Sequence, residues 1–115
     1  MIAIRDLQIG DFINTENNGV VQITVLSWRA VGYEGGASTP EHCSYIPLTE
    51  EILAKNGWEG QTDGTNDFFV SRILPELWHY AGTDYYSYDI NTKIKYVHQL
   101  QHLLRLCGIE KEIKL

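Results

Sequence analysis

The chain has 115 residues, of which 43% are hydrophobic, and its formal net charge is −6. This length is enough for one domain over residues 1–115 whose core needs neither a disulfide nor a metal. The acidic charge disfavours nucleic acid and anionic membranes as partners, and no apolar run is long enough to span a bilayer. The first residues lack the basic and apolar regions of a signal peptide, so we expect a cytoplasmic protein.

The first half of the chain predicts a small antiparallel sheet. Asn18-Gly19 supplies the positive φ angles of a tight hairpin between the first two strands. In the second strand, alternation directs Val21, Ile23 and Val25 to one face. A glycine-rich loop follows the third strand, and this half could close into a small SH3-like barrel. The expected strands span residues 11–14, 20–28, 29–33 and 42–46.

A short helix is predicted at residues 48–57. Thr49 is a good N-cap because its hydroxyl can accept a hydrogen bond from the first turn. Glu50 and Glu51 place negative charge where the helix dipole favours it, and Gly57 suits the left-handed residue at the end. The polar, turn-rich residues that follow, 60–67, are expected to form a surface loop.

The last part of the chain alternates strand patterns before a second helix. In that helix, Val97, Leu100, Leu103, Leu104 and Cys107 recur at three- and four-residue spacing, which makes one apolar stripe and predicts a buried thiol. A hairpin around Gly-Thr-Asp is expected between the third-last and second-last strands. The predicted strands are 68–74, 77–81, 85–90 and 93–96, the helix is 97–107, and residues 109–115 could add an edge strand.

The order of these elements indicates the fold class. Strands, a helix, further strands and a second helix follow one another without the strand–helix–strand alternation of a parallel sheet. We therefore predict an α+β fold with a largely antiparallel sheet and two helices.

Reaction chemistry is weakly represented in the sequence. His98 and His102 have the spacing of a zinc-binding helical pair, but no third ligand is evident and Gln99 stands where a metalloprotease has glutamate. Cys43 and Cys107 are far apart and lack a thiolate-stabilising partner, so free, unreactive thiols are expected. The sequence predicts no catalytic residue, no metal site and no cofactor.

Aromatic and basic residues form the most suggestive pattern. Aromatic faces stack on planar ligands, and arginine pairs with phosphate. Two interpretations stay open: a ladder of rings that packs within the sheet, or a surface that binds a ligand or partner. The candidate ligand-binding residues are Trp28, Arg29, Tyr33, Arg72, Trp78, Tyr80, Tyr86 and Tyr88.

Three segments carry a family resemblance: I-P-L-T-E-E-I-L-A-K-N-G-W at 46–58, K-Y-V-H-Q-L-Q-H-L at 95–103 and the early I-G-D-F-I at 9–13. They resemble a group of small uncharacterised proteins of Bacteroides-type gut bacteria, their phages and mobile elements. The shared residues are cap and core positions, so the resemblance implies a fold but transfers no activity and no catalytic residue.

A phage-like origin implies an accessory role. Small phage proteins of this size often inhibit a host protein, and others sequester a host immune signal such as a cyclic nucleotide or a cyclic ADP-ribose derivative. The leading hypothesis is a non-enzymatic protein that binds a nucleotide-like ligand. An inhibitor or adaptor acting on a host protein is the alternative, and a small enzyme ranks third. Because small domains commonly cover exposed apolar surface with a second copy, we also expect a homo-oligomer.

Overall fold

The computed structural model describes residues 2–80 and 84–115, in which ten strands and two α-helices occur. The predicted α+β class with antiparallel sheets and two helices is confirmed. The described residues group into two compact units, one ending at Ile46 and the other beginning at Pro47, each with its own sheet. The single domain expected over residues 1–115 stays a prediction.

The first unit is a five-stranded antiparallel sheet that curls into a half-barrel. Its strand order is β4-β3-β2-β1-β5. Of the predicted turn pair Asn18-Gly19, only the glycine has positive φ, and the turn is also closed by the Thr15 hydroxyl, which accepts from the amide of Asn18. The strands are β1 Phe12–Thr15, β2 Gly19–Leu26, β3 Val31–Tyr33, β4 Gly36–Ser38 and β5 Cys43–Ser44.

An irregularity in β2 corrects the predicted alternation. The pairing with β3 shifts register between Ile23 and Val25. Ile23 is buried as predicted, but Val25 is 59% exposed, and Leu26 packs against the core instead. A bulge adds one residue to one strand, so every side chain beyond it changes face. The core of this unit consists of Ile2, Leu7, Ile13, Ile23, Val31 and Cys43.

The second unit has a five-stranded antiparallel sheet of order β10-β9-β8-β7-β6. The surface loop predicted at residues 60–67 was wrong in its first part, which forms an edge strand paired with β7. The turn between them is held by the Asp63 carboxylate, which accepts from the amides of Thr65 and Asn66. The elements are α1 Glu50–Lys55, β6 Glu59–Thr62, β7 Asp67–Val70, β8 Leu77–His79, β9 Tyr85–Ser87, β10 Thr92–Ile94 and α2 Val97–Leu106. Gly82 and Thr83 of the predicted hairpin lie outside the described residues.

Both helices begin as their sequences direct. The Thr49 hydroxyl accepts from the amide of Ile52 at 3.2 Å, which confirms the predicted N-cap. At the start of α2, the Gln99 side-chain oxygen accepts from the amides of Lys95 and Tyr96. The predicted burial of Cys107 was wrong, because α2 ends at Leu106 and the exposed Cys107 is its C-cap, where the chain leaves the apolar stripe.

The C-terminal segment is held by a side chain instead of a sheet edge. The Asn56 amide donates to the carbonyl of Lys114 and its oxygen accepts from the Lys114 amide, both at 2.7 Å. Ile113 is buried beside this clamp. The edge strand predicted over residues 109–115 was therefore wrong, since the buried asparagine supplies the bonding that a neighbouring strand would have supplied.

Candidate functional site: two faces of the second sheet

The second sheet directs neighbouring residues to opposite faces. Asp67 lies opposite His79, and His79 lies opposite Tyr85, so these side chains share one face. Because successive side chains of a strand point to opposite faces, the residues next to these three in sequence lie on the other face of the sheet. We call the first the inner face, because it carries the buried Phe69, Leu77, Tyr85, Ser87 and Ile94, and the second the outer face.

The outer face of this sheet is aromatic. Phe68 stacks on Trp78 at 4.7 Å between ring centroids, and Trp78 stacks on Tyr80 at 6.2 Å. Tyr86 lies opposite Trp78 and meets Tyr88 edge to face at 4.8 Å. None of these rings is fully buried, and Tyr88 is 55% exposed. We call Phe68, Trp78, Tyr80, Tyr86 and Tyr88 the aromatic face.

Two residues of the aromatic face, Tyr80 and Tyr88, form a hydrogen bond with each other through their hydroxyls, and we call these groups the hydroxyl pair. That bond is the main cause that raises the pKa of Tyr80 to about 12. Because ionisation of Tyr80 would disturb this bond, Tyr80 remains neutral at physiological pH.

A cation projects on the same face as the aromatic rings, but it is a lysine and not the arginine that was predicted. Lys93 of β10 lies directly opposite Tyr86 and so projects on the outer face. Arg72, the predicted cation, lies exposed in the turn after β7 and within the described part of the chain makes no cation–π contact. Lysine thus takes the position for which arginine was expected.

The other predicted ligand residues belong to the first unit. Trp28 is 80% exposed, and the Arg29 guanidinium carbon lies 4.1 Å from the centre of its ring. Tyr33 is buried. Its hydroxyl forms a hydrogen bond with the Ser38 hydroxyl at 2.6 Å and accepts one from the side-chain amide of Asn18 at 3.1 Å. Trp28 and Arg29 are therefore available to a partner, whereas Tyr33 is used in the packing of its own sheet.

The inner face carries a polar cluster at the edge of its buried core. Glu50 of α1, Asp67 and His79 bring one ligand atom each to within 4.8 Å of one another. The His79 ring stacks on Tyr85 at 4.6 Å. The pKa of Tyr85 is raised to about 12, mainly by burial and to a smaller extent by the negative charges of Glu50 and Asp67.

Sequence reasoning missed this cluster because its three members come from three elements. No spacing motif links the first residue of a helix, the first residue of one strand and the last residue of another. The one signal available was alternation, which directs His79 away from Trp78 and Tyr80 and to the opposite face.

Two other groups whose residue types could carry reaction chemistry are the histidine pair of α2 and the thiol of Cys43. His98 is buried in α2, and its ring lies 5.5 Å from that of His102. Among the described residues, neither histidine joins a cluster of three metal-ligating side chains. Burial is the main cause that raises the pKa of the Cys43 thiol, which donates to the carbonyl of Thr39. That environment opposes the thiolate a nucleophile requires.

Comparison of the chain with protein-family models, curated proteins and solved structures gives no match. Within residues 2–80 and 84–115, no helix is long and apolar enough to cross a membrane.

Proposed function

We propose that this chain is a non-enzymatic binding protein whose aromatic face takes a planar, negatively charged ligand. Nucleotide signals of the cyclic-nucleotide or cyclic ADP-ribose type are the class with that chemistry, and sequestering such a signal suits the phage or mobile-element accessory role that the family resemblance implies. The observation on which this proposal depends is that five aromatic rings, none of them fully buried, lie on one face of one sheet.

The chemistry of the outer face supports this ligand class. A base is a flat π-system, and each base stacked on a protein ring contributes about 1–3 kcal/mol of binding energy. Trp78 lies at the centre of the cluster and offers the largest ring. Lys93, on the same face, supplies a point charge for phosphate. The overall charge of −6 works against long anionic polymers but not against a small anion held locally.

The proposal is tested by calorimetry with cyclic dinucleotides and cyclic ADP-ribose isomers. We expect Trp78→Ala to weaken binding by about tenfold to a hundredfold, as the loss of one stacking platform predicts. Lys93→Met should weaken binding of the phosphorylated compounds. Ile73→Ala is the control, because Ile73 is 79% exposed but belongs to no strand of the sheet. Absence of binding to every compound at millimolar concentration would remove the nucleotide proposal.

A second copy of the chain is the expected partner at this surface. Two aromatic faces brought together would bury their apolar rings and leave a pocket between subunits for the ligand. Light scattering should then give a mass that is an even multiple of 13.1 kDa. A mass of one chain across a wide concentration range would remove the oligomer and the inter-subunit pocket, while leaving the aromatic face as a monomeric site.

Inhibition of a host protein is the second candidate, and Trp28 favours it. Tryptophan and arginine are enriched among the residues that dominate protein interfaces. Trp28 and its stacked Arg29 lie at the end of β2, and Trp28 lines a pocket of about 480 Å³ together with Ile4, Leu7 and Leu26. Co-purification from host lysate with the wild-type chain but not with Trp28→Ala would support this candidate over the aromatic face.

A further inference from the structure

We propose that Glu50, Asp67 and His79 form a binding site for a divalent transition-metal ion of the Zn²⁺ and Mn²⁺ class. This site lies on the inner face and does not depend on the ligand proposed for the aromatic face. Its three potential ligand atoms all lie within 4.8 Å of one another, a spacing from which small movements of exposed side chains bring them to a common ion.

The backbone positions the three ligands from rigid elements. Asp67 and His79 are directly opposite each other across β7 and β8, which fixes their separation through the ladder of the sheet. Glu50 is the first residue of α1, whose start is set by the Thr49 cap. The His79 ring is oriented by its stack on Tyr85, with 21° between the two planes.

The three side chains keep their ligand atoms out of hydrogen bonds and ion pairs within the described part of the chain. In the described part of the chain, the side chains of Glu50 and Asp67 make neither a hydrogen bond nor an ion pair, and the His79 ring nitrogens have no hydrogen-bond partner. Two carboxylates that converge without a protein cation repel each other, and a divalent cation removes that repulsion. The charge of the ion would equal that of the two carboxylates, with imidazole as a neutral third ligand.

The space around the cluster suits an ion that keeps water ligands. Glu50 and Asp67 line an open pocket of about 280 Å³ together with Gly60, Thr62 and Phe69. Gly60 lies close to the Phe69 ring in this wall, since a Cβ there would come within 3.2 Å of it. Three protein ligands with open positions are the arrangement in which zinc and its neighbours bind water or a further ligand.

The donor set selects the class of ion. Carboxylate oxygen alone suits Mg²⁺ and Ca²⁺, but imidazole nitrogen suits zinc and the other first-row transition ions. We therefore expect Zn²⁺ and Mn²⁺ to bind and Mg²⁺ to bind much more weakly. The difference between the ions should depend on His79, which is the only nitrogen ligand of the three.

The test is calorimetry of the full chain after dialysis against a chelator. Wild-type protein should bind one Zn²⁺ or Mn²⁺ per chain with micromolar or tighter affinity. Glu50→Gln and His79→Gln should each weaken binding at least about tenfold. Glu51→Gln is the matched control, since it removes the same charge from the next residue of the same helix turn and should leave the affinity unchanged.

A second measurement locates the ion. Mn²⁺ broadens nuclear magnetic resonances near it, so the amide signals of Gly60, Thr62 and Phe69 should broaden in the wild type and remain sharp in His79→Gln. The proposal is overturned if the wild type binds neither ion at millimolar concentration. It is equally overturned if Glu51→Gln weakens binding as much as Glu50→Gln, which would indicate diffuse attraction to an acidic surface. Unfolding curves for each variant establish that the fold is retained.

Discussion

The two faces of the second sheet differ sharply, although neighbouring residues of the same strands build them. Trp78 contributes a ring to the outer face, and the next residue, His79, contributes its imidazole to the polar cluster of the inner face. In β7, Phe68 likewise contributes its ring to the outer face, and the residue before it, Asp67, contributes its carboxylate to the inner face. The strand period of two thus lets one short segment supply an aromatic surface on one side and converging ligands on the other.

Burial separates the two faces as clearly as chemistry does. Leu77 and Ile94 of the inner face are almost fully buried, whereas Tyr88 at the edge of the outer face is 55% exposed. A side chain removed from a packed core leaves a cavity, but one removed from a surface leaves water. The inner face should therefore determine the stability of this unit, and the outer face should be open to substitution.

The largest expected effect tests that difference in stability. Leu77→Ala should lower the free energy of unfolding by about 2–5 kcal/mol, because the side chain is fully buried. Tyr88→Ala should lower it by only about 1 kcal/mol, since what it loses is one ring pair and one hydrogen bond between hydroxyls, both at an exposed position. Denaturant unfolding of both variants measures the two values.

Leu100→Ala provides the corresponding test in α2. Leu100 is also fully buried, so its removal should again cost about 2–5 kcal/mol. If Leu77→Ala unfolds at the wild-type denaturant concentration, or if Tyr88→Ala is as unstable as Leu77→Ala, the division into a structural inner face and an open outer face is wrong. Wild-type stability of Leu100→Ala would instead mean that the apolar stripe of α2 is misassigned as core.

A smaller effect is expected from the helix cap that positions Glu50. Thr49→Ala should lower the free energy of unfolding by about 1 kcal/mol, because an amide of the first turn loses its acceptor. It should also weaken binding of Zn²⁺ at the inner face while leaving the aromatic face unaffected. Thr65→Ala, in the exposed turn before β7, is the matched control and should change neither quantity.

The smallest effects are spectroscopic and distinguish two tyrosines whose pKa is raised for different reasons. The pKa of Tyr80 is raised to about 12 mainly by the Tyr88 hydroxyl, whereas burial is the main cause for Tyr85, with a pKa also of about 12. In an absorbance titration, Tyr88→Phe should lower the pKa of Tyr80 and leave Tyr85 unchanged. If the late ionisation of Tyr80 remains in Tyr88→Phe, the hydroxyl pair is not its cause.

Burial of Tyr85 links its titration to the stability of the fold. The folded-state pKa of Tyr85 lies above the unfolded value of about 10, so its stabilisation is complete below pH 10 and is lost as pH rises toward 12. Tyr85→Phe removes the ionisable hydroxyl, so its stability should fall less steeply over that range. Equal slopes for the wild type and Tyr85→Phe would contradict this assignment.

Local signals in the sequence were sufficient for much of the fold. Neighbouring residues contain the Thr49 cap, the hairpin at Gly19 and the apolar stripe of α2, and each was predicted correctly, the stripe from Val97 to Leu104. Four of the five rings of the outer face were among the candidate residues, namely Trp78, Tyr80, Tyr86 and Tyr88, and strand alternation directs Trp78 and Tyr80 to one side and His79 to the other. These features depend on backbone geometry that repeats every two or about four residues.

Predictions based on regular strand and helix periods were wrong where the structure departs from those periods. The bulge in β2 exposed Val25, and the early end of α2 exposed Cys107. The polar strand β6 has no apolar face of its own and forms because β7 offers it a partner. Asn56 replaced the expected edge strand with a clamp on Lys114, a contact between residues far apart in the chain.

The sequence by itself determined which residues alternate, where the helices begin and which rings share a face, because these depend on interactions between near neighbours. Tertiary structure alone decided that Glu50, Asp67 and His79 converge and that Lys93 projects on the same face as the aromatic rings. Both results depend on strand register and on where a helix packs against a sheet. Register is set by the whole set of cross-strand pairs, and no single segment contains that information.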